Sequence, residues 1–169
     1  ARVKITCPWD EHADPTTFRL GNFGFGEYTF DVPPLSSYYN NRINMDSLGY
    51  WLDVTASVQV PENEAYWIFQ TIDPATGVAP IDSLGFLPVN DTLFGNGEGF
   101  VTFTVSPKPG NNRSQISTGD TIVEQAQIYF DENEVVPTNR YKNMFDAVAP
   151  ASYIVCDTTG AFESRVLNI

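Results

Sequence analysis

From residue 50 to residue 60 (YWLDVTASVQV) apolar and polar side chains alternate without a break. Tyr50, Leu52, Val54, Ala56, Val58 and Val60 share one face, and Trp51, Asp53, Thr55, Ser57 and Gln59 share the other. Period two over that length predicts a strand with one face in a core and one in water. Residues 61–64 (PENE) read as a hairpin loop and residues 65–72 as the returning strand. Pairing Val60 with Ala65 places Val58 opposite Trp67 and Ala56 opposite Phe69, small against large, with Trp67 in the core.

Shorter stretches repeat the pattern. Residues 2–7 (RVKITC) point Val3 and Ile5 inward. Residues 17–20 predict a short strand, and residues 21–26 (GNFGFG) a glycine-rich turn. Residues 27–32, 39–45 and 99–105 alternate again, with a Pro33-Pro34 break and a polar loop at 108–119. Residues 121–130 (TIVEQAQIYF) form one continuous alternating strand that runs into an acidic corner, Asp131, Glu132, Asn133 and Glu134. Residues 140–148 predict an edge strand. These elements predict an all-β fold, an antiparallel immunoglobulin-like β-sandwich of about eight to ten strands over residues 1–150. After Pro150, residues 151–169 hold two further stretches, 152–157 and 161–167, that fit either an added strand pair or the start of a next module.

Composition narrows the setting. The 169 residues suffice for one domain with a core of its own, and 42% hydrophobic with 18% charged residues argues against disorder. Nine basic against 21 acidic residues give a net charge of −12, which disfavours nucleic acid and anionic membrane surfaces. No apolar run approaches membrane-spanning length, so membrane insertion is not expected, and the chain reads as a mature or excised segment. Cys7 and Cys156, one near each end, fit either a disulfide or two free thiols. A bond closing so long a loop contributes up to roughly 5 kcal/mol on the chain-entropy view, and it needs an oxidising compartment.

The candidate chemistry is of three kinds. Asp131 and Asn133 at a strand end, with Asp73, Asn90 and Asp91 in other loops, are oxygen ligands that could meet at one pole and hold Ca²⁺; the competing role is turn capping. Asp10, Glu11 and Asp14, beside Trp9 and His12, form a second acidic loop that reads as a solvated loop or a metal group. Aromatic rings on a sheet face can stack on sugars, and the outward candidates are Tyr38, Trp51, Tyr66 and Tyr129, with Tyr38, Tyr39, Asn40, Asn41 and Arg42 as a local group. On the expected register Tyr66 opposes Gln59 and lies about 26 Å from Trp51. For catalysis the sequence offers little. It has no G-x-S-x-G, no evident base for Cys7 apart from His12, and a GNGEG at 95–99 without the lysine of a phosphate loop. Two triplets, at 90–92 and 112–114, fit the N-glycosylation pattern.

Six segments carry a resemblance: "TFRLGNFGFG" (17–26), "VPPLSSYYNNRINM" (32–45), "LGYWLDVTASVQV" (48–60), "WIFQTIDPATGVAPIDSLGFLPVND" (67–91), "GEGFVTFTVSPKPG" (97–110) and "QAQIYFDENEVVPTN" (125–139). In that order they resemble a bacterial cell-surface β-sandwich module found near the C-terminal parts of very large secreted proteins. The resemblance covers residues 2–150. It implies an extracellular, non-catalytic module with neighbouring domains of a parent protein as its partners. Two functions follow as expectations: a structural or presenting module that Ca²⁺ would rigidify, or a carbohydrate-binding module that holds a polysaccharide for an attached enzyme.

Overall fold

The computed structural model describes residues 1–80, 87, 90, 91, 93, 95, 97–108, 116–146, 148 and 150–152. The expected strand at 161–167 and all but Ser152 of the one at 152–157, together with Cys156, most of the 108–119 loop, Thr92 of one glycosylation triplet and the whole of the other, lie outside the described residues.

The described residues form eleven strands: β1 (Arg2–Pro8), β2 (Ala13–Phe25), β3 (Tyr28–Phe30), β4 (Tyr39–Met45), β5 (Tyr50–Gln59), β6 (Glu64–Ile72), β7 (Gly99–Pro107), β8 (Thr121–Glu124), β9 (Gln127–Phe130), β10 (Val136–Pro137) and β11 (Tyr141–Met144). A six-stranded sheet runs β10-β9-β1-β6-β5-β4, a three-stranded sheet β3-β2-β7, and β11 pairs with β8. Every strand pair is antiparallel. No helix among the described residues is long and apolar enough to cross a membrane.

The core lies between the two larger sheets. Alternation sends Val3 and Cys7 of β1, Leu52, Val54 and Ala56 of β5, and Trp67 and Phe69 of β6 inward. Phe18, Leu20, Phe23 and Phe25 of β2 meet them from the other sheet. The contact is aromatic. Phe18 lies 6.2 Å from Trp67 and 5.7 Å from Phe103, while Phe23 lies 5.6 Å from Phe69 and 5.3 Å from Phe30, mostly edge-on or tilted.

Three expectations are corrected. The β5–β6 register is displaced by two residues: Val58 faces Ala65, Ala56 faces Trp67 and Val54 faces Phe69. The turn begins at Val60, with Asn63 N–H donating to the Val60 carbonyl at 3.2 Å and Asn63 at φ 55°. Pro61 takes the second turn position, which suits its fixed φ and needs no N–H. An even displacement keeps every side chain on its face, so the pattern alone could not detect it.

Residues 21–25 are not a turn but the second half of a thirteen-residue strand, and of the expected turn only Gly26 lies in one. Their glycines serve close approach: a Cβ on Gly24 would stand 2.5 Å from the Tyr28 carbonyl and 2.7 Å from the Phe100 ring. The reversal follows Phe25, at Gly26, with φ 53°.

The continuous strand expected at 121–130 divides. β8 pairs with β11, and β9 pairs with β1 and β10. At the break, Ala126 N–H donates to Thr138 Oγ1 at 2.9 Å, Thr138 N–H donates to the Ala126 carbonyl at 2.9 Å, and Gln125 Nε2 donates to the Thr138 carbonyl at 2.8 Å. Ala126 thus keeps both of its backbone hydrogen bonds while the chain changes sheets.

Candidate functional site

The outer face of the six-stranded sheet carries most of the candidate sugar-binding residues. Trp51 on β5, Tyr66 on β6 and Tyr129 on β9 point outward there, each half-buried. Tyr66 stands opposite Ser57, six residues along β5 from Trp51, or about 20 Å. The rings therefore do not form one compact platform. Arg42 donates to Asp53 through Nε at 2.6 Å and Nη2 at 2.8 Å, and the same guanidinium lies 5.3 Å from the Trp51 ring centre. Lys4 Nζ stands 5.7 Å from the Tyr129 ring centre. Each cation rests on a ring face that a sugar would need. Tyr39 turns inward, 5.7 Å from Phe23, and belongs to the core rather than to a surface group. Tyr38 is 60% exposed.

The carboxylates among the expected Ca²⁺ ligands are engaged one by one. Asp131, at φ 49°, accepts the Arg2 N–H on Oδ1 at 2.6 Å, while its own N–H donates to the Arg2 carbonyl at 2.8 Å. Its side chain thus prolongs the β1–β9 ladder beyond Phe130. Asn133 N–H closes the following turn on the Phe130 carbonyl. Asp73 Oδ1 accepts Ala75 N–H at 2.8 Å, and Asp91 Oδ1 accepts Leu93 N–H at 2.8 Å, both the Asx-turn geometry. Among the described residues no group of three or more His, Cys, Asp or Glu is placed to hold a metal ion.

The loop after β1 shows a role that sequence reasoning did not assign. Asp10 Oδ1 accepts His12 N–H at 3.0 Å and lies 2.8 Å from His12 Nδ1, and Oδ2 accepts the Val123 N–H of β8 at 2.9 Å. Partial burial pushes the Asp10 carboxyl up, but the N–H groups of His12 and Val123 and the His12 ring outweigh it and hold it below the ordinary carboxylate value. The Asp-x-His spacing hinted at the local pair; nothing local pointed to Val123, 113 residues away.

Glu124 stands next to this pair. Burial and the Asp10 charge raise its carboxyl above the ordinary value. Such a group destabilises the fold once ionised, so its penalty sets in as pH rises from the ordinary value through the raised one and is absent below both. Glu124→Gln is expected to raise the melting temperature at pH 7 and to leave it unchanged near pH 3; an equal shift at both pH values would refute the electrostatic origin.

Cys7 is a buried free thiol, so the Cys7–Cys156 disulfide admitted by the sequence is not formed in this structure. Burial, and behind it Glu124 and Glu64, raise the thiol to about 11. A thiol so raised is protonated at neutral pH and weakly nucleophilic.

Two clefts of about 330 Å³ each lie beside β7. The first is apolar, lined by Ile5, Phe25, Phe69, Phe100, Ile128 and Phe130, with Glu98 at its side. The second runs between Phe103 and Val105 of β7 and Ile122, Glu124 and Phe145 around β8.

Against known proteins, the family described as a domain of unknown function (DUF7619) matches residues 40–144, more than half of the chain. No curated protein and no solved structure matches.

Proposed function

The chain belongs to the DUF7619 family, and we propose that it serves as a non-catalytic β-sandwich module of a larger extracellular protein, supporting and presenting the domains beside it. The extracellular setting rests on the resemblance of the segments quoted above. One observation supports the structural role: the side chains suited to hold a ligand are engaged with the chain itself. Arg42 and Lys4 cover the Trp51 and Tyr129 rings, and Asp131, Asp73 and Asp91 close turns and a ladder. Those contacts stiffen the sheet face and its loops, as a spacer requires.

A second reading, polysaccharide binding for an attached enzyme, draws on three rings standing on one sheet face among Gln70, Asn40 and Asn44, with Tyr38 exposed nearby. A glycan array with pull-down on cellulose, xylan and chitin separates the two. No retention is expected; retention abolished by Tyr38→Ala or Trp51→Ala would replace the structural reading with the glycan one. Chelator is likewise expected to leave the melting temperature unchanged, because a cation bound only to the folded state would raise it. A Ca²⁺-dependent rise would show that the module owes its rigidity to the ion.

A further inference from the structure

Glu124 is the exception among the polar side chains. It is half-buried on β8 and lines the second cleft with Phe103, Val105, Ile122, Asn143 and Phe145. Among the described residues no hydrogen bond or ion pair reaches its carboxylate. Its charged neighbour is the wrong one: Asp10 adds a second negative charge and spends its own oxygens on His12 and Val123. The nearby cations serve elsewhere. Lys108 Nζ donates to the Glu11 carbonyl at 2.6 Å. Lys142 lies between Tyr141 and Asn143 on β11, so alternation turns it to the face opposite Asn143. An unpaired carboxylate held in a cleft beside a like charge costs the fold stability, and such groups mark binding sites.

We propose that the second cleft binds an alkylammonium group, with Glu124 as its counter-ion and Phe103, Val105, Ile122 and Phe145 around its apolar stem. Each part of the cleft points to that chemistry. Its charge excludes anions. A primary ammonium offers only donors, and Glu124 with the Asn143 amide oxygen offers acceptors. The two phenyl rings favour a cation over a neutral polar group. A hard metal ion needs more oxygens than Glu124 and Asn143 supply, and no metal-holding group is found among the described residues. The volume of about 330 Å³ lies at the small end of ligand pockets, which suits a short amine rather than a large ligand. Partial burial strengthens the ion pair relative to an open surface. Binding would also relieve the repulsion between Glu124 and Asp10, so the cost of the empty site becomes affinity for the cation.

Titration of the full chain at pH 7, followed by amide chemical shifts, tests this. The probe n-pentylammonium is expected to give saturable shifts at Thr104, Val105, Ile122 and Glu124, to leave the β4–β5 amides unaffected, and to raise the melting temperature. n-Pentanol, with the same stem and no charge, is expected to bind at least about ten-fold more weakly, as is n-pentylammonium to Glu124→Gln. That variant removes the charge without removing the shape. Should it lose its fold, the two probes on the wild type decide alone. Nα-acetyl-lysine N-methylamide distinguishes the sources of the group: binding at least as tight as the free amine assigns the cleft to a lysine side chain of a partner, and weaker binding assigns it to a free amine. No saturable shift, shifts spread over the acidic surface, equal binding of pentanol, or unchanged affinity in Glu124→Gln would each overturn the proposal.

Discussion

Replacing Trp67 with alanine is expected to lower the unfolding free energy by about 3–5 kcal/mol. In a domain of this size that corresponds to a fall in melting temperature of about 10 °C or more. Trp67 is 1% exposed, stands between Ala56 and Ile5 across the sheet, and meets Phe18 at 6.2 Å and Phe103 at 5.6 Å. It therefore spans both layers. Truncation forfeits the burial of the indole, leaves a cavity that neighbours locked in cross-strand register cannot fill, and breaks two ring contacts worth about 0.5–1.5 kcal/mol each. Trp51→Ala on the outer face of the same sheet is the matched control. It loses a half-exposed ring under Arg42 and is expected to cost about 1 kcal/mol or less. Urea titration of both variants checks the pair. Equal midpoints would mean that the outer face contributes as much to stability as the aromatic core, contrary to the packing described.

Asp10→Ala carries the next largest effect, a loss of about 2–3 kcal/mol. One carboxylate satisfies two backbone N–H groups, those of His12 and Val123, and orients the His12 ring. Alanine leaves both N–H groups half-buried without an acceptor, at about 1–3 kcal/mol for each that water cannot reach. It also unties β8 from the loop after β1, where the chain is about to change sheets. The pH dependence has a definite sign. The folded carboxyl lies below its ordinary value, so its contribution is fully present above that value and is lost as pH falls through the folded one. The gap between wild type and Asp10→Ala is accordingly widest at neutral pH and narrows under acid. Thermal melts from pH 7 down to pH 2 measure it; a gap that stays constant would leave the contribution of Asp10 to packing alone.

Much of the fold was legible. The alternation in residues 50–60 placed Leu52, Val54 and Ala56 inside and Trp51 and Asp53 outside, as found. Trp67 was assigned to the core and lies there. The antiparallel sandwich followed from the number and spacing of such stretches. The candidate site was less legible. Tyr38, Tyr39 and Arg42 lie within five residues of one another in the sequence, yet Tyr39 packs on Phe23 and Arg42 on Asp53 and Trp51. A tyrosine at a strand edge fits either face, and only the opposing sheet decides which. Asp131 and Asn133 at a strand end fit either cation ligands or turn caps; the group that Asp131 Oδ1 accepts from, the Arg2 N–H, is 129 residues away.

Side-chain period along a strand is local, set by the pleat, and is written into every few residues. It determined which faces of this chain are buried and hence that two apolar sheet surfaces must meet. Register, sheet membership and hydrogen-bond partners are not local. A displacement by two residues preserves every face, so the β5–β6 register waited on the turn at Val60–Asn63. A strand that changes sheets at Ala126 keeps its alternation, so the break waited on Thr138 and Asp10. The glycines of β2 looked like a turn until β3 and β7 came close enough to exclude a Cβ. Each of these was decided by groups distant in sequence, because a hydrogen bond or a packing contact is satisfied by whatever the folded chain brings within about 3–4 Å.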